Sequence, residues 1–337
     1  MLILSNSGTK KAIVGILFVT IIAIGAMLGW ILTQPVGGAG EPVMFTIKPG
    51  TPTKNIAEEL KKQNLIKNAL AFRIAAKLQG VENSLQAGEY AFSPDMSLRK
   101  MLVMMSQGQT AYQQFTIPEG YTVDQIASLL AEKQLVNPDK FKALAKDFAP
   151  FPYMKATPGT QYSVEGFIFP DTYRVPKGIS EEELLAMMVN QFDAKLTPEL
   201  RQRAAELGLS IREVIIMASL VEKEAKLNEE RPIIAGVFAN RLKQGMPLQS
   251  CATIQYILGY PKPELTIQDT QITSPYNTYQ IPGLPPGPIA NPGNASIKAV
   301  LYPANTDYLY FVADKQGKHH FSKSYEEHLI TINQVQI

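Results

Sequence analysis

The amino-acid sequence predicts an α+β protein with one N-terminal transmembrane helix, a small α+β module and a larger α+β domain. Three observations lead to this class. Residues 12–32 form an uncharged apolar run, a strand–glycine–helix pattern occurs twice with a spacing of seventy positions, and capped helices precede a C-terminal hairpin. Helical periodicity and short strands therefore occur in both regions that follow the apolar run. The expected boundaries are 43–111 for the small module and 112–337 for the larger domain.

The apolar run is long enough to cross a bilayer as a helix. A helix rises ~1.5 Å per residue, so about 20 apolar residues span a hydrocarbon core of ~30 Å. Thr20 is the only hydroxyl residue in the run, and Trp30 lies near its end, where an indole suits the membrane interface. The alternative is a cleaved signal peptide, but the apolar core of such a peptide is only ~7–15 residues long, and no clear A-x-A cleavage site follows.

The flanking charges predict the orientation of this helix. Lys10 and Lys11 precede the run, and the next lysine or arginine is Lys48. Positive residues favour the cytoplasmic side, so residues 1–11 are expected to form a cytoplasmic tail and the rest of the chain to lie outside. Residues 33–42 are rich in glycine and proline, which is typical of a linker. The predicted location is the cytoplasmic membrane, single-pass, with the larger domain extracytoplasmic.

The composition excludes several kinds of function. A formal net charge of +2 provides no strong positive field, so no nucleic-acid partner is expected. Cys251 is the single cysteine, so an internal disulfide cannot form. With three histidines, all late in the chain, a Cys/His zinc site has too few ligands. We therefore predict neither a metal nor a cofactor.

The small module contains the first copy of the repeated pattern. The tripeptide Phe-Thr-Ile at 45–47 recurs at 115–117, and Gly50 matches Gly120. In the first copy we expect a strand at 43–47, helices near 54–63 and 69–78, a strand at 88–92 and a helix from 97 to 105. This outline resembles LysM modules, which bind N-acetylglucosamine polymers. The alternative is an ordinary α+β spacer.

The larger domain contains residues that are typical of helix N-termini. The predicted starts are Thr122, Asn137 before Pro138, the capping boxes of Ser180 with Glu183 and of Ser210 with Glu213, and Thr197 before Pro198. The helix that begins at Pro198 is expected to stop at Gly208. Residues 308–312 and 320–321 are expected to form a hairpin.

Two glutamates near the end of the predicted helix 211–225 are candidates for proton transfer. The apolar centre of this helix is expected to consist of Val214, Met217, Ala218, Val221 and Ala225, with Lys223 on the wet side. Glu222 and Glu224 lie on the two flanks beside apolar neighbours, which raise the pKa of a carboxyl group by desolvation. A general acid for glycoside cleavage needs such a pKa. The alternative is a solvated face that pairs with Lys223 or Lys226. Helix spacing does not choose between the two glutamates.

Seven segments occur in a fixed order around this helix. They are FIFPDTY at 167–173, ASLVEKE at 218–224, VFANRL at 237–242, MPLQS at 246–250, SPYNTY at 274–279, GLPPGPI at 283–289 and YLYFVA at 308–313. Each segment alone is weakly specific. As an ordered set behind a transmembrane helix and a LysM-like unit, they resemble the MltG (YceG-like) endolytic murein transglycosylases over essentially the whole exported region.

The resemblance implies a lyase that cuts the β-1,4 bond between N-acetylmuramic acid and N-acetylglucosamine in nascent peptidoglycan. It implies that Glu224, the second glutamate of the family's Glu-Lys-Glu motif, is the catalytic acid, and that a 1,6-anhydro ring forms on the muramic acid. The expected substrate-binding residues are Gln249, Tyr276, Asn277 and Tyr279, through stacking and amide hydrogen bonds, with Glu222 beside the same groove.

Asp171 and Glu119 are the best candidates for a second carboxylate. The alternatives are a turn-stabilising contact for Asp171 and a loop charge for Glu119. One departure from the family pattern is present. Some relatives have Gln-Thr-Asp-Pro-Thr where this chain has QSCAT at 249–253, so the family's aspartate has no counterpart. We interpret Cys251 as a packing residue, because a catalytic thiol needs a base partner.

Two further functions are compatible with the same residues. One is a non-catalytic peptidoglycan-binding or division-complex scaffold, and the other is a hydrolytic muramidase in which a second carboxylate activates water. Anhydro ends, reducing ends or an absence of products in a peptidoglycan digest would distinguish the three functions. The expected partners are peptidoglycan glycan strands, the membrane and the peptidoglycan synthases that extend new strands there.

Overall fold

The structure is a computed structural model that describes residues 34–38, 40–262 and 264–335, together with isolated positions between 16 and 30. The predicted cytoplasmic tail, 1–11, lies outside the described residues, and most of the predicted transmembrane segment, 12–32, does as well. None of the helices formed by the described residues combines the length and the apolar content that crossing a bilayer requires. The α+β class is confirmed by the helices and three small sheets described below.

Two compact units divide the chain, with the boundary between Gln113 and Gln114. The first unit contains β1 (Val43–Ile47), α1 (Thr53–Lys62), α2 (Ala69–Leu78), β2 (Gly88–Phe92) and α3 (Leu98–Ser106). These bounds agree with the predicted elements to within one residue. Strands β1 and β2 pair antiparallel, with Phe45 opposite Tyr90. The resemblance to a LysM module stays a prediction.

The core of the first unit follows from the two-residue period of its strands. Phe45 and Ile47 on β1, and Tyr90 and Phe92 on β2, point to the same side and are buried. They pack against the buried faces of the three helices. Burial of each large apolar side chain contributes about 1.5–3 kcal/mol, so this face holds the sheet on the helices.

The second unit is mainly helical and carries two small sheets. Its elements are β3 (Tyr112–Thr116, which begins at the boundary), α4 (Val123–Glu132), α5 (Pro138–Asp147), β4 (Thr172–Pro176), α6 (Glu181–Lys195), α7 (Pro198–Glu206), α8 (Ile211–Glu224), α9 (Arg231–Lys243), α10 (Cys251–Leu258), α11 (Asn294–Leu301), β5 (Tyr310–Ala313), β6 (His319–Ser322) and α12 (Tyr325–Val335). Strand β3 pairs with β4, and β5 pairs with β6 in the predicted C-terminal hairpin.

The predicted helix starts are confirmed. Complete capping boxes form at Thr122, Ser180 and Ser210, and the Asn137 side chain accepts backbone hydrogen bonds at the start of α5. Helix α7 also begins where predicted, at Pro198 after Thr197, although the Thr197 side chain makes no capping bond to it. Pro198 at the first helical position supplies the start instead.

Helix α8 is the central helix of the second unit. It packs against α7, α9, α10 and α11, and every residue from Val214 to Val221 is buried. The expectation of a single apolar face was therefore too narrow, since Ile215, Ile216 and Leu220 are buried as well. A helix that is apolar on all sides belongs in a protein interior. Both end turns of α8 are more accessible, and the last one carries Glu222, Lys223 and Glu224.

Candidate functional site

Glu224 is the last residue of α8, and its carboxyl group lies at the N-terminus of α10. The Ser250 hydroxyl donates a hydrogen bond to Glu224 Oε1 at 2.5 Å, and the backbone amide of Ala252 donates another. Ser250 is the N-cap residue of α10, yet its side chain does not cap that helix. The Glu224 carboxyl group takes this role, at the end of a helix where the dipole favours negative charge.

The protonation of Glu224 reflects opposing effects. Burial raises the pKa of Glu224, whereas the bonds from Ser250 and Ala252 and the nearby His319 oppose that rise. The net direction is upward, so the carboxyl group keeps a proton to higher pH than an exposed glutamate does. Once ionised, it finds donors already in place. A group with both properties can give a proton and later accept one.

Partly or fully exposed residues lie near this carboxyl group: Gln249 and Cys251 flank Ser250 in the chain, and Tyr279 contacts Cys251. Gln249 and Cys251 are exposed, and Tyr279 is half-buried. The Tyr279 hydroxyl lies 3.1 Å from Cys251 Sγ, and the charge of Glu224 acts on both groups. Glu224 is therefore next to side chains that a bound molecule can reach. The interpretation of Cys251 as a packing residue is wrong, because the residue is exposed, although its sulfur is partly covered beside Tyr279.

Gln249 has an unusual backbone and a fixed side chain. Its φ is +51°, in the left-handed region that residues other than glycine rarely adopt. The backbone amide of Gln249 donates to the carbonyl oxygen of Thr278 at 3.0 Å, and the side-chain Oε1 of Gln249 accepts from Arg241 Nη1 at 3.3 Å. Arg241 is itself held by the carbonyl oxygens of Pro247, Leu248 and Leu309. A strained backbone conformation persists only where neighbouring residues enforce it. Here the bonds to Thr278 and Arg241 hold Gln249 in that conformation, with the residue exposed at the surface.

Tyr276 and Asn277 occupy the interior behind Tyr279. The Asn277 side chain donates to the carbonyl oxygens of Thr270 and Ile272 and accepts from the Tyr279 amide at 3.0 Å. The Tyr276 hydroxyl accepts from the Gln161 amide at 3.3 Å. Their observed contacts shape the loop that presents Tyr279. Sugar binding by these two residues stays a prediction.

The partners of the Glu222 carboxyl group are a buried arginine, a backbone amide and a hydroxyl, and not the neighbouring lysines. Its Oε1 pairs with Arg231 Nη2 at 3.1 Å, and the two side chains are only 6 % and 9 % exposed. Its Oε2 accepts from the Gly293 amide at 3.0 Å and from Ser296 Oγ at 2.8 Å. The alternative of a solvated pair with a neighbouring lysine is therefore wrong, and contact of Glu222 with substrate stays a prediction. Glu222 fastens the end of α8 to the starts of α9 and α11.

Glu119 lies on the Glu222 side of this turn. Burial and the charge of Glu222 raise the pKa of Glu119, and Arg231 opposes the rise. A Cβ atom at Gly293 would meet the Glu119 carboxyl group, so that side chain lies directly against the Gly293 backbone. Asp171 lies at the start of β4, where it accepts hydrogen bonds from the Thr172 amide and from Gln191 Nε2, both at 2.7 Å. Neither arrangement includes a contact with Glu224 among those described.

A third buried carboxylate, Glu165, was not found by sequence reasoning. It accepts from the Val123 amide at 3.1 Å, from Asn291 Nδ2 at 3.0 Å and from the Tyr256 hydroxyl at 3.2 Å. Burial raises its pKa to about 8. Within the residues that the structure describes, no group of three or more His, Cys, Asp or Glu side chains is arranged to hold a metal ion.

Comparison with known proteins identifies the family. A model of the YceG-like family matches residues 45–334. The chain belongs to the YceG-like family. An endolytic murein transglycosylase of Bacillus subtilis is 35% identical to this YceG-like chain over 299 residues, which is 85% of the chain and 82% of that protein. An endolytic murein transglycosylase of Streptococcus pneumoniae is 34% identical over 315 residues, which is 85% of the chain but 57% of that longer protein.

A solved structure of a relative supports the same assignment. The crystal structure of a yceG-like protein from Listeria monocytogenes matches this YceG-like chain with a TM-score of 0.62 and 34% sequence identity. The match covers 88% of the chain and 99% of the Listeria structure.

Ser250, His319 and Glu230 are three residues near Glu224 whose roles the sequence did not predict, because their partners are distant in the chain. Ser250 is 26 positions from Glu224. His319 Nδ1 lies 2.7 Å from Glu230 Oε2, although the two residues are 89 positions apart, and this buried pair places His319 near Glu224. Of these residues, only Ser250 could have been recognised locally, because serine is a common residue type at helix N-caps.

Proposed function

We propose that this protein is an endolytic peptidoglycan lytic transglycosylase that cuts the β-1,4 bond between N-acetylmuramic acid and N-acetylglucosamine. The observation that carries the proposal is the Glu224 carboxyl group, which has a raised pKa, lies beside reachable side chains and faces two fixed donors. The names of the relatives from Bacillus and Streptococcus agree with this activity.

In the proposed reaction Glu224 acts twice. Protonated Glu224 gives its proton to the oxygen that bridges the two sugars, and the bond from that oxygen to C1 of the muramic acid breaks. Positive charge then develops at C1. The ionised carboxylate, stabilised by the Ser250 hydroxyl and the Ala252 amide, takes the proton of the same sugar's C6 hydroxyl. The C6 oxygen closes onto C1 as a 1,6-anhydro ring, and Glu224 is protonated again.

This cycle consumes no water, since the nucleophile belongs to the substrate. An intramolecular hydroxyl has a high effective concentration, which favours ring closure over attack by solvent. Gln249 and Tyr279 are proposed to orient the muramic acid, because both reach the surface next to Glu224.

The proposed cellular setting follows from the N-terminal sequence. The apolar run 12–32 would anchor the protein in the cytoplasmic membrane, with its larger domain outside. The LysM-like residues 43–111 would help to hold glycan strands. Peptidoglycan synthases are the proposed neighbours, because they release new strands at the membrane surface.

A peptidoglycan digest tests the proposed function. Full-length protein in detergent is incubated with lipid-linked nascent strands, and the products are analysed by mass spectrometry, with Glu224→Gln in parallel. We expect 1,6-anhydro ends from the wild type only. Reducing muramic acid ends would indicate a hydrolytic muramidase, and an absence of products would favour a scaffold.

A further inference from the structure

A second candidate site is an open cavity between α4 and α10. Its volume is about 550 Å³, and it lies entirely within the second unit. Pockets of about 300–1,000 Å³ are the usual size for small ligands. Asp124 and Gln125 from α4 form one wall, and Gln255 and Tyr256 from α10 form the other.

This cavity adjoins Glu224 through two residues. Ala252 lines the cavity and also donates its backbone amide to the Glu224 carboxyl group. Lys223, which precedes Glu224 in α8, lines it as well. The N-terminal turn of α10 therefore connects the Glu224 carboxyl group to the cavity.

The lining has the composition of a carbohydrate site. Three tyrosines, Tyr121, Tyr256 and Tyr260, border the cavity together with three side-chain amides, Gln125, Gln161 and Gln255. Aromatic faces stack on the C–H surfaces of pyranose rings, and amides both donate to and accept from hydroxyl and N-acetyl groups. Tyr260 is 56 % exposed, so its ring is free to receive a sugar.

One buried carboxylate ties the two walls together. Glu165 accepts from the Val123 amide in the first turn of α4 and from the Tyr256 hydroxyl on α10. The ring of Tyr256 also packs on Tyr276, with a centroid distance of 5.0 Å. These contacts fix Tyr256 before any ligand binds, which reduces the entropy cost of binding.

We propose that this cavity is a sugar subsite that binds the part of a β-1,4-linked N-acetylhexosamine strand beyond the cleaved bond. The proposal rests on the proposed function, because it extends the path of the same substrate. A strand must be long enough to occupy both Glu224 and the cavity. The cavity therefore makes the enzyme favour long strands over short oligomers.

The first experiment measures cleavage against strand length. Initial rates of the full-length protein are determined on glycan strands of defined length for the wild type, Tyr260→Ala and a control, Tyr302→Ala. Tyr302 is 53 % exposed and packs on Arg203, outside the cavity, which makes it a close match for Tyr260. We expect Tyr260→Ala to lower kcat/KM on long strands about two- to tenfold, the effect of one aromatic contact, and to leave the shortest cleaved strands unaffected.

The second experiment does not depend on cleavage. Chitohexaose, a β-1,4-linked N-acetylglucosamine hexamer, is titrated into the Glu224→Gln protein with and without Tyr260→Ala. We expect the added substitution to weaken binding about two- to tenfold at one site. Identical titrations, or a length profile of Tyr260→Ala that equals the wild type, would overturn the cavity proposal. If the wild type released no anhydro products, the proposed function would be overturned instead, and the titration would still show whether the cavity binds sugar.

Discussion

Glu222 and Glu224 are two residues apart at the end of α8, yet their surroundings differ in kind. Glu222 meets a buried guanidinium, a backbone amide and a hydroxyl, and it joins three helices. Glu224 receives neutral donors at the N-terminus of α10, and burial raises its pKa. A carboxylate that is balanced by a cation stabilises the fold, whereas one without a paired cation retains its proton longer. Although they are close in sequence, Glu222 is a structural group and Glu224 is a candidate catalytic group.

The largest expected effect is on activity and comes from Glu224→Gln. The amide still accepts from Ser250 and the Ala252 amide, so the fold should persist. It cannot deliver a proton, and general acid–base catalysis contributes about 10²–10⁴-fold. We expect release of anhydro products to fall by at least about 100-fold, with an unchanged thermal unfolding midpoint. Near-normal turnover would remove Glu224 from the mechanism.

Glu222→Gln should give the largest loss of stability. It leaves the Arg231 guanidinium buried without its carboxylate, and breaking such a pair costs about 3–5 kcal/mol. In a unit of this size, the unfolding midpoint should fall by roughly 6–20 °C, which calorimetry would measure. Activity below that midpoint should remain, in contrast to Glu224→Gln.

A double variant provides the control for this ion pair. Glu222→Gln combined with Arg231→Met removes both charges, and it should be less destabilised than the sum of the single variants. Additive losses would mean that the pair does not stabilise the fold.

Glu165→Gln tests the third buried carboxylate through pH. The folded protein keeps the Glu165 proton up to a pKa of about 8, whereas the unfolded chain releases it near pH 4.5. Between these values the folded state binds more protons, so the free energy of unfolding should fall as pH rises, by up to about 1.4 kcal/mol per pH unit. Denaturant unfolding should show a flatter pH dependence for Glu165→Gln than for the exposed control Asp139→Asn. Equal slopes would contradict a buried titrating group at this position.

Ser250→Ala should change the pH profile of turnover. Without the Ser250 hydroxyl, the Glu224 carboxylate loses a donor and its pKa rises further. The decline of kcat/KM on the alkaline side should therefore move to higher pH. Ser250→Thr retains a hydroxyl and serves as the control, which should keep the wild-type profile.

The smallest effect is expected for Cys251→Ala. Burial raises the pKa of the Cys251 thiol, so the group stays protonated near neutral pH, and its contact is with Tyr279. Surface substitutions usually change free energies by less than about 0.5 kcal/mol, so turnover should stay within about twofold of the wild type. A large loss would give the thiol a role that the geometry does not provide.

The sequence predicted features whose causes are local. The capping boxes at Ser180 and Ser210 and the strand at 43–47 depend on residues within a few positions, and the structure has them where expected. The alternative of a solvated Glu222 failed because two of its partners, Gly293 and Ser296, are 71 and 74 positions away.

Long-range pairs set the environments of the candidate site as well. No periodicity in the chain connects Glu165 with Tyr256, or His319 with Glu230, because packing rather than spacing brings them together. Family resemblance selected Glu224, and the structure explains which contacts would make that carboxyl group suitable.

The position of Glu224 at the N-terminus of α10 also links chemistry to local order. A helix of eight residues depends strongly on its terminal contacts, and the contact at this end strengthens when Glu224 is ionised. Each proton that leaves Glu224 therefore tightens the first turn of α10, and each proton that returns relaxes it. Amide hydrogen exchange in residues 251–254 should accordingly slow down as Glu224 ionises, so the rigidity of this turn reports the protonation state of the acid.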